Sequence, residues 1–380
     1  PEVDINTIGI QTTKTGVQNE MNLLRAAIIN RNIELMEILL KNKKIDVNLK
    51  LIVKNCYNEE LQSMVIEEVY PINIAVSYNY KEILDLLLKH NKLDVNARHR
   101  ELMSFRNGII TQIYNQNSLI TAFCINSNEA VKNLLSHPKI DVNAASTFKK
   151  DESSDIDFNF TENLLCFSIE RKNYEITNLL LNRQNLDVNA KCICHKKDMF
   201  YEEKPALYLA IEKGEEEIVK KILENKEIDV NCKYFCNDIV KNDSKEKSVL
   251  QFAIEKGNEN IIKLLLSNSN IDANFKSRIK NQNNNKIVID EQTTLSYAIN
   301  NGNVEIIKLL LSNEDINIKL KDRKVIKNQT FNECKIEEKN LLEIASEKAP
   351  QVFQFLLDHL KQLYNSSEDN QLKKIISKFS

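Results

Sequence analysis

Two short segments carry the residues whose types and spacing could do chemistry: Cys192-Ile193-Cys194-His195 and Cys232-Lys233-Tyr234-Phe235-Cys236. Thiolates and imidazole nitrogens are the ligands of tetrahedral zinc, and two close thiols can form a redox bridge. If the segments run side by side as strands with Asn189 level with Asn231, Cys192 faces Tyr234 and Cys194 faces Cys236. The period-2 alternation of a strand puts Cys192, Cys194, Cys232 and Cys236 on one face. Neighbouring strands lie about 4.7–4.9 Å apart, so Cys194 and Cys236 would meet. Against a four-ligand site, His195 alternates to the opposite face unless the chain is already turning there. Cysteine is also an ordinary small, semi-apolar strand residue. The favoured expectation is structural thiols, with no metal and no cofactor; zinc- or redox-modulated binding through this cluster is the alternative.

The rest of the chain offers no catalytic constellation. The histidines are His90, His99, His137, His195 and His359, and none sits in a His-Glu-x-x-His motif or beside a nucleophile elbow. Of six glycines, Gly214, Gly257 and Gly302 share one repeat position, Gly108 sits in an Asn-Gly turn, and Gly9 and Gly16 lie near the start. No glycine-rich phosphate loop can be built from them. The expectation is a protein that is not an enzyme. A net charge of −2 encodes no general pull toward nucleic acid or anionic membrane. No apolar run approaches the roughly 20 residues that span a bilayer. Pro1-Glu2-Val3-Asp4 is no signal peptide, and eight scattered cysteines suit a reducing compartment, so the expected location is cytoplasmic.

The elements that position these residues follow from a recurring tetrapeptide. Ile45-Asp46-Val47-Asn48 returns as Leu93-Asp94-Val95-Asn96, Ile140-Asp141-Val142-Asn143, Leu186-Asp187-Val188-Asn189, Ile228-Asp229-Val230-Asn231, Ile271-Asp272-Ala273-Asn274 and a degraded Ile316-Asn317-Ile318-Lys319. Successive copies start 42 to 48 residues apart. Such a period marks a stack of units that contact mainly their neighbours. Each unit carries a short apolar helix within a stretch such as Pro205 to Gly214, which ends on the glycine position, then a second helix such as Val304 to Leu311. A small residue recurs at Ala27, Ala75, Ala122, Ser168, Ala210, Ala253, Ala298 and Ala345, where neighbouring helices must approach closely.

The pattern resembles the ankyrin repeat, whose core reads roughly T-P-L-H-x-A, glycine, apolar helix, then V-N; Tyr70-Pro71-Ile72-Asn73-Ile74-Ala75 carries the Pro and Ala positions. The Ile/Leu-Asp-Val-Asn ending is similar to that of the expanded protist-type families. The resemblance implies an α-solenoid of helix-turn-helix units over residues 22–360. About eight repeats are expected, at 22–48, 70–96, 117–143, 163–189, 205–231, 248–274, 293–319 and 340–360. An ordinary unit has about 33 residues. The surplus here falls between the tetrapeptide and the next helix, in the family's β-hairpin finger. Asn107-Gly108 between two alternating runs is a hairpin signal, and the polar stretch Asn281 to Asn285 reads as another turn. Enlarged fingers are expected to join edge to edge as an extended side sheet. Residues 1–21 read as a remnant of a preceding repeat, ending Val3-Asp4-Ile5-Asn6, and 361–380 as a capping helix. That helix is capped within Ser366-Ser367-Glu368-Asp369, with Leu372, Ile375, Ile376 and Phe379 on one face.

Members of the family usually bind along the concave side, so the implied function is a non-enzymatic protein–protein interaction scaffold. The expected partner is a protein or peptide, not nucleic acid, without membrane insertion; the oligomeric state is left open. A recognition segment of a larger multidomain protein is the other reading. The two residues before the glycine position are apolar early in the chain, at Ile29, Tyr78 and Ile125, and charged or amide later. Aromatic residues crowd the middle fingers at Phe105, Phe148, Phe200, Tyr201, Tyr234 and Phe235. These nine are the candidate partner contacts, although cross-strand packing is the favoured reading for most finger aromatics. The acidic finger tip from Asp151 to Asp157 reads as a solvated turn that a basic partner could use. The footprint is expected on repeats 1–4.

Overall fold

A computed structural model describes residues 4–12, 18–58, 63–104, 110–150, 158–196, 199–283, 285–330, 333–367 and 369–379. The chain divides into two units, residues 1–197 and 198–380. The first opens with β1 (Gly9–Thr12) and β2 (Gln18–Met21), then alternates helix pairs with strands. It contains α1 (Leu23–Ile29), α2 (Ile33–Lys41), β3 (Leu51–Asn58), β4 (Ser63–Val69), α3 (Pro71–Ser77), α4 (Lys81–Leu88), β5 (Arg98–Ser104), β6 (Ile110–Asn117), α5 (Ser118–Cys124), α6 (Asn128–Ser136), β7 (Ala145–Lys150), β8 (Phe158–Asn163), α7 (Leu164–Glu170), α8 (Tyr174–Leu181) and β9 (Lys191–Lys196). The second contains β10 (Phe200–Pro205), α9 (Ala206–Lys213), α10 (Glu216–Leu223), β11 (Lys233–Asp238), β12 (Asp243–Ser248), α11 (Val249–Lys256), α12 (Glu259–Leu266), β13 (Lys276–Asn283), β14 (Lys286–Thr293), α13 (Thr294–Asn301), α14 (Val304–Leu311), β15 (Asp322–Asn328), β16 (Glu333–Lys339), α15 (Leu341–Lys348), α16 (Pro350–Ser367) and α17 (Asn370–Ile376). Within each unit the hairpin strands join antiparallel in chain order, β3 to β9 and β10 to β16.

Local chemistry starts and stops the short helices. Asn22, Asn117 and Asn163 cap α1, α5 and α7 by accepting a backbone N–H three residues on, and Pro71 sits in the first turn of α3. Ser248 with Gln251 and Asn340 with Glu343 form complete capping boxes. At the helix ends Gly214, Gly257 and Gly302 take the left-handed conformation, with φ of 71–72°. The equivalent turn in the first unit uses no glycine: Arg31, Asn79, Asn126 and Lys172 sit at φ between 49° and 59°. The eight recurring small residues are buried to within 1% of complete, as close helix approach requires.

The tetrapeptide does more than mark the repeats. In each well-formed copy the Asp side chain accepts the N–H of the Asn two residues later, at 2.9–3.0 Å. The Asn side chain then bonds the next repeat twice. Asn48 accepts from the Asp94 N–H at 2.8 Å and donates to the Lys92 carbonyl at 2.7 Å. Asn96 and Asn143 do the same to the following copies, as do Asn231 and Asn274 in the second unit. Asn6 makes both bonds to Asp46 and Lys44, so the first tetrapeptide serves as a rung. In the degraded copy Asn317 keeps the local turn, but Lys319 stands where the ladder Asn would be. Lys319 instead pairs with Asp369, the residue that caps α17. The ladder ends by tying down the last helix.

Two expectations change. Asn281, Gln282 and Asn283 belong to β13 and pair with Val288, Ile287 and Lys286, so these three are strand rather than turn. The ladder of backbone bonds to β14 outweighs the weak strand preference of Asn. Ser366 and Ser367 continue α16, and Asp369 alone caps α17, where Leu372 and Ile376 are buried and Ile375 and Phe379 half-buried.

Candidate partner-binding surface

Cross-strand register lines up one row of side chains across the first unit. Glu67 on β4 lies opposite Glu101 on β5, Glu101 opposite Tyr114 on β6, and Tyr114 opposite Phe148 on β7. The row continues through Phe160 on β8 to Cys194 on β9. Residues directly opposite share a face, so His99, two before Glu101, and Glu162, two after Phe160, belong to it as well. Tyr114 and Phe148 rings pack at 4.6 Å.

The ends of the first helix of each pair adjoin this face. Tyr78 is 53% and Ile125 40% exposed; Ile29 is half-buried. Tyr78 stacks on Tyr80 at 5.4 Å, and the Arg31 guanidinium sits over Tyr80 while pairing with Glu82 at 3.1 Å. Arg171, just after α7, lies over both Phe123 and Phe167, at 5.4 and 5.9 Å. Glu162, close enough to feel the charges of Glu170 and Arg171, is only 4% exposed. Burial, with Glu170 adding to it, pushes its carboxyl up to about 8 despite the opposing Arg171 charge. Glu101 is raised by burial and then by Glu67 opposite; burial holds His99 below the usual imidazole range although Glu67 stands 3.8 Å away. The His99 Nε2 is buried without a hydrogen bond.

The second unit fills the same positions differently. Its row runs Glu202, Cys236, Lys245, Ile279, Asp290, Lys324 and Glu337. At the helix ends, Glu255 binds the Lys247 ammonium at 2.5 Å and accepts from the Tyr297 hydroxyl at 2.8 Å, and Glu347 pairs with Lys339. Tyr234 is half-buried. Its ring stacks on Tyr208 of α9 at 4.7 Å, Tyr208 stacks on Phe252 of α11 at 3.9 Å, and its hydroxyl donates to Glu202 at 2.8 Å. Burial raises the phenols of both Tyr208 and Tyr234. Phe235 alternates to the opposite face and packs there against Tyr201 at 6.0 Å, while Phe200, opposite Asp238, is half-buried on the Cys236 face. Of the finger aromatics expected to gather, Tyr234 and Phe235 are therefore divided between faces. Phe105, the Arg106-Asn107-Gly108 turn and the acidic tip Asp151 to Asp157 lie outside the described residues.

The cysteine register is corrected. Cys194 faces Phe160, and Cys236 lies between Glu202 of β10 and Lys245 of β12, so Cys194 and Cys236 are not on neighbouring strands. Each finger contributes two strands, and the return strand of a finger, not the first strand of the next, is the nearer neighbour. Cys192 and Cys194 are half-buried on β9, and Cys232 is buried ahead of β11. Among the described residues no group of three or more His, Cys, Asp or Glu side chains could hold a metal ion. Burial raises the Cys236 thiol, against the hydrogen bond from Tyr234. Sequence reasoning passed over Glu162 and Glu101. Counting both strands of every finger would have set Glu162 and Glu101 on the row's face.

Among the described residues no helix is long and apolar enough to cross a membrane. A family model described as ankyrin repeats matches three overlapping stretches, residues 119–234, 165–277 and 232–322, which together span more than half of the chain. A search of the curated proteins finds no match.

Proposed function

Because this chain belongs to the ankyrin-repeat family, we propose that it is a non-enzymatic scaffold that binds one protein or peptide partner along repeats 1–4. Ankyrin repeats are generally protein–protein interaction modules, and the reading extends that role to one part of this chain. The observation that carries it is the exposure of Tyr78 and Ile125 at the inner helix ends of the first unit, whose strand row also holds the Tyr114–Phe148 pair. Apolar and aromatic side chains left at a polar-rimmed surface are the usual anchors of an interface. At the matching positions of the second unit stand Lys256 and Lys348, and the Glu255 and Glu347 beside them are already paired with Lys247 and Lys339. Long hairpins would act as fingers extending this surface. Glu162 and Glu101 favour a partner that places a cation over them, because a buried carboxyl gains most from an approaching opposite charge.

Hydrogen exchange on the complex with the natural partner tests the placement. Protection is expected on α1, α3, α5, α7 and strands β4 to β8. Protection confined to residues 248–360 would exclude the reading.

A further inference from the structure

A second surface, unrelated to the helix ends just described, lies where the array stops. Residues of β13, β15, β16, α15 and α17 enclose a cavity of about 510 Å³, within the range of small-ligand sites. Six cations line it: Lys276, Lys319, Lys321, Arg323, Lys374 and Lys378. Two carboxylates, Glu338 and Glu343, stand against them.

The carboxylates are committed. Glu338 is within 3.5 Å of Lys321, and Glu343 binds Lys378 at 3.0 Å while its other oxygen accepts the Asn340 N–H in the capping box. Lys319 is held by Asp369. Lys276, Arg323 and Lys374 have no ion pair among the described residues, although all three line the same cavity. Cations gathered around one cavity repel each other, and the cost rises as water is excluded. In a chain whose net charge is −2, that local excess needs a counter-charge.

We infer that this cavity binds a small, multiply charged phosphate compound. Arg323 offers a planar fork suited to two phosphate oxygens, and Lys276 and Lys374 supply point charges on either side. The walls come from finger strands, the start of α15 and the last helix, so the space suits a compact anion rather than an extended chain. Lys319 already holds Asp369, the cap of α17, and Lys378, just after α17, holds Glu343 of α15. An anion held here therefore bridges α17 to the base of the last fingers and stabilises the end of the array.

Calorimetric titration of the full chain with tripolyphosphate at low ionic strength tests this. One site per chain is expected, weakening steeply with salt. The triple variant Lys276→Gln, Arg323→Gln, Lys374→Gln should lose at least tenfold in affinity. A control triple of equal charge change, Lys226→Gln, Lys263→Gln, Lys361→Gln, should stay within twofold. In the unaltered protein tripolyphosphate should also shield Lys276 and Lys374, but not Lys226, from acetylation, a readout that needs no variant to fold. Equal weakening by both triples, no shielding, or no heat at millimolar probe would overturn the assignment. So would tighter binding of a hexaglutamate peptide, which would make the site one for acidic polypeptide.

Discussion

The two units present the same cross-strand row with opposite chemistry. In the first the row reads Glu67, Glu101, Tyr114, Phe148, Phe160 and Cys194: two like charges, then three aromatic rings. In the second, Lys245, Asp290, Lys324 and Glu337 sit in a row whose last three members alternate in sign. Alternating charges on neighbouring strands satisfy each other, whereas Glu67 opposite Glu101 is a repulsive pair. The difference teaches that one backbone register can hold a self-contained surface in one place and an unfinished one in another. An unfinished surface, with buried carboxyls and exposed rings, is where a partner gains most.

The sharpest way to probe that contrast is through Glu162. Its carboxyl titrates in the folded chain at about 8, above its ordinary value, so the folded state holds the proton that the unfolded state releases. The stabilising protonation is fully present below about pH 4.3 and is lost as pH rises toward 8, by about 1.4 kcal/mol per pH unit between the two values. Urea unfolding at pH 5 and pH 8 is expected to show a loss of several kcal/mol that Glu162→Gln largely removes. A variant with an unchanged pH profile would mean that the burial argument fails.

Charging the aromatic row is the next test. Phe148→Glu with Phe160→Lys copies the alternation of the second unit, and partner affinity should fall at least tenfold, about 1.4 kcal/mol. Circular dichroism should stay unchanged; retained affinity would move the footprint elsewhere. The left-handed helix ends offer a smaller contrast. Lys172→Gly is expected to stabilise the chain by about 1 kcal/mol in thermal unfolding, and Gly257→Ala to destabilise it by about as much, because only glycine adopts that conformation without a Cβ penalty. The smallest effect is expected from Lys324→Glu, which places like charges beside Asp290 and Glu337 and should cost about 0.5–1 kcal/mol. No loss in denaturant titration would show that the alternation carries no stability.

Much of this was legible in the residues. The tetrapeptide period pointed to a repeating unit, Gly214, Gly257 and Gly302 marked helix ends, and the apolar skew at Tyr78 and Ile125 stood out by alignment alone. Other features were hidden for identifiable reasons. Arg31 and Lys172 adopt the glycine conformation with no glycine to announce it, because the surrounding turn imposes the backbone. The pairing of Cys194 with Cys236 failed because it aligned first strands and skipped the return strand between them. Tyr234 and Phe235 are adjacent in sequence yet face opposite ways, so a stretch rich in aromatics is not a patch.

What the sequence determined by itself is the repeating unit, since helix periodicity, caps and the Asp-to-Asn turn are local and need only neighbouring residues. What only the tertiary structure decided is which side chains meet between units of the repeat. Cysteine chemistry at Cys192, Cys194, Cys232 and Cys236 depended on register, and register is a property of paired strands rather than of either strand. The same holds for Asn48 and its counterparts. Each looked like the end of a motif, and became a cross-repeat bond only when the next copy was brought within 2.8 Å. Lys319, which stands in place of the ladder Asn, turned from a degraded letter into the anchor of the final helix.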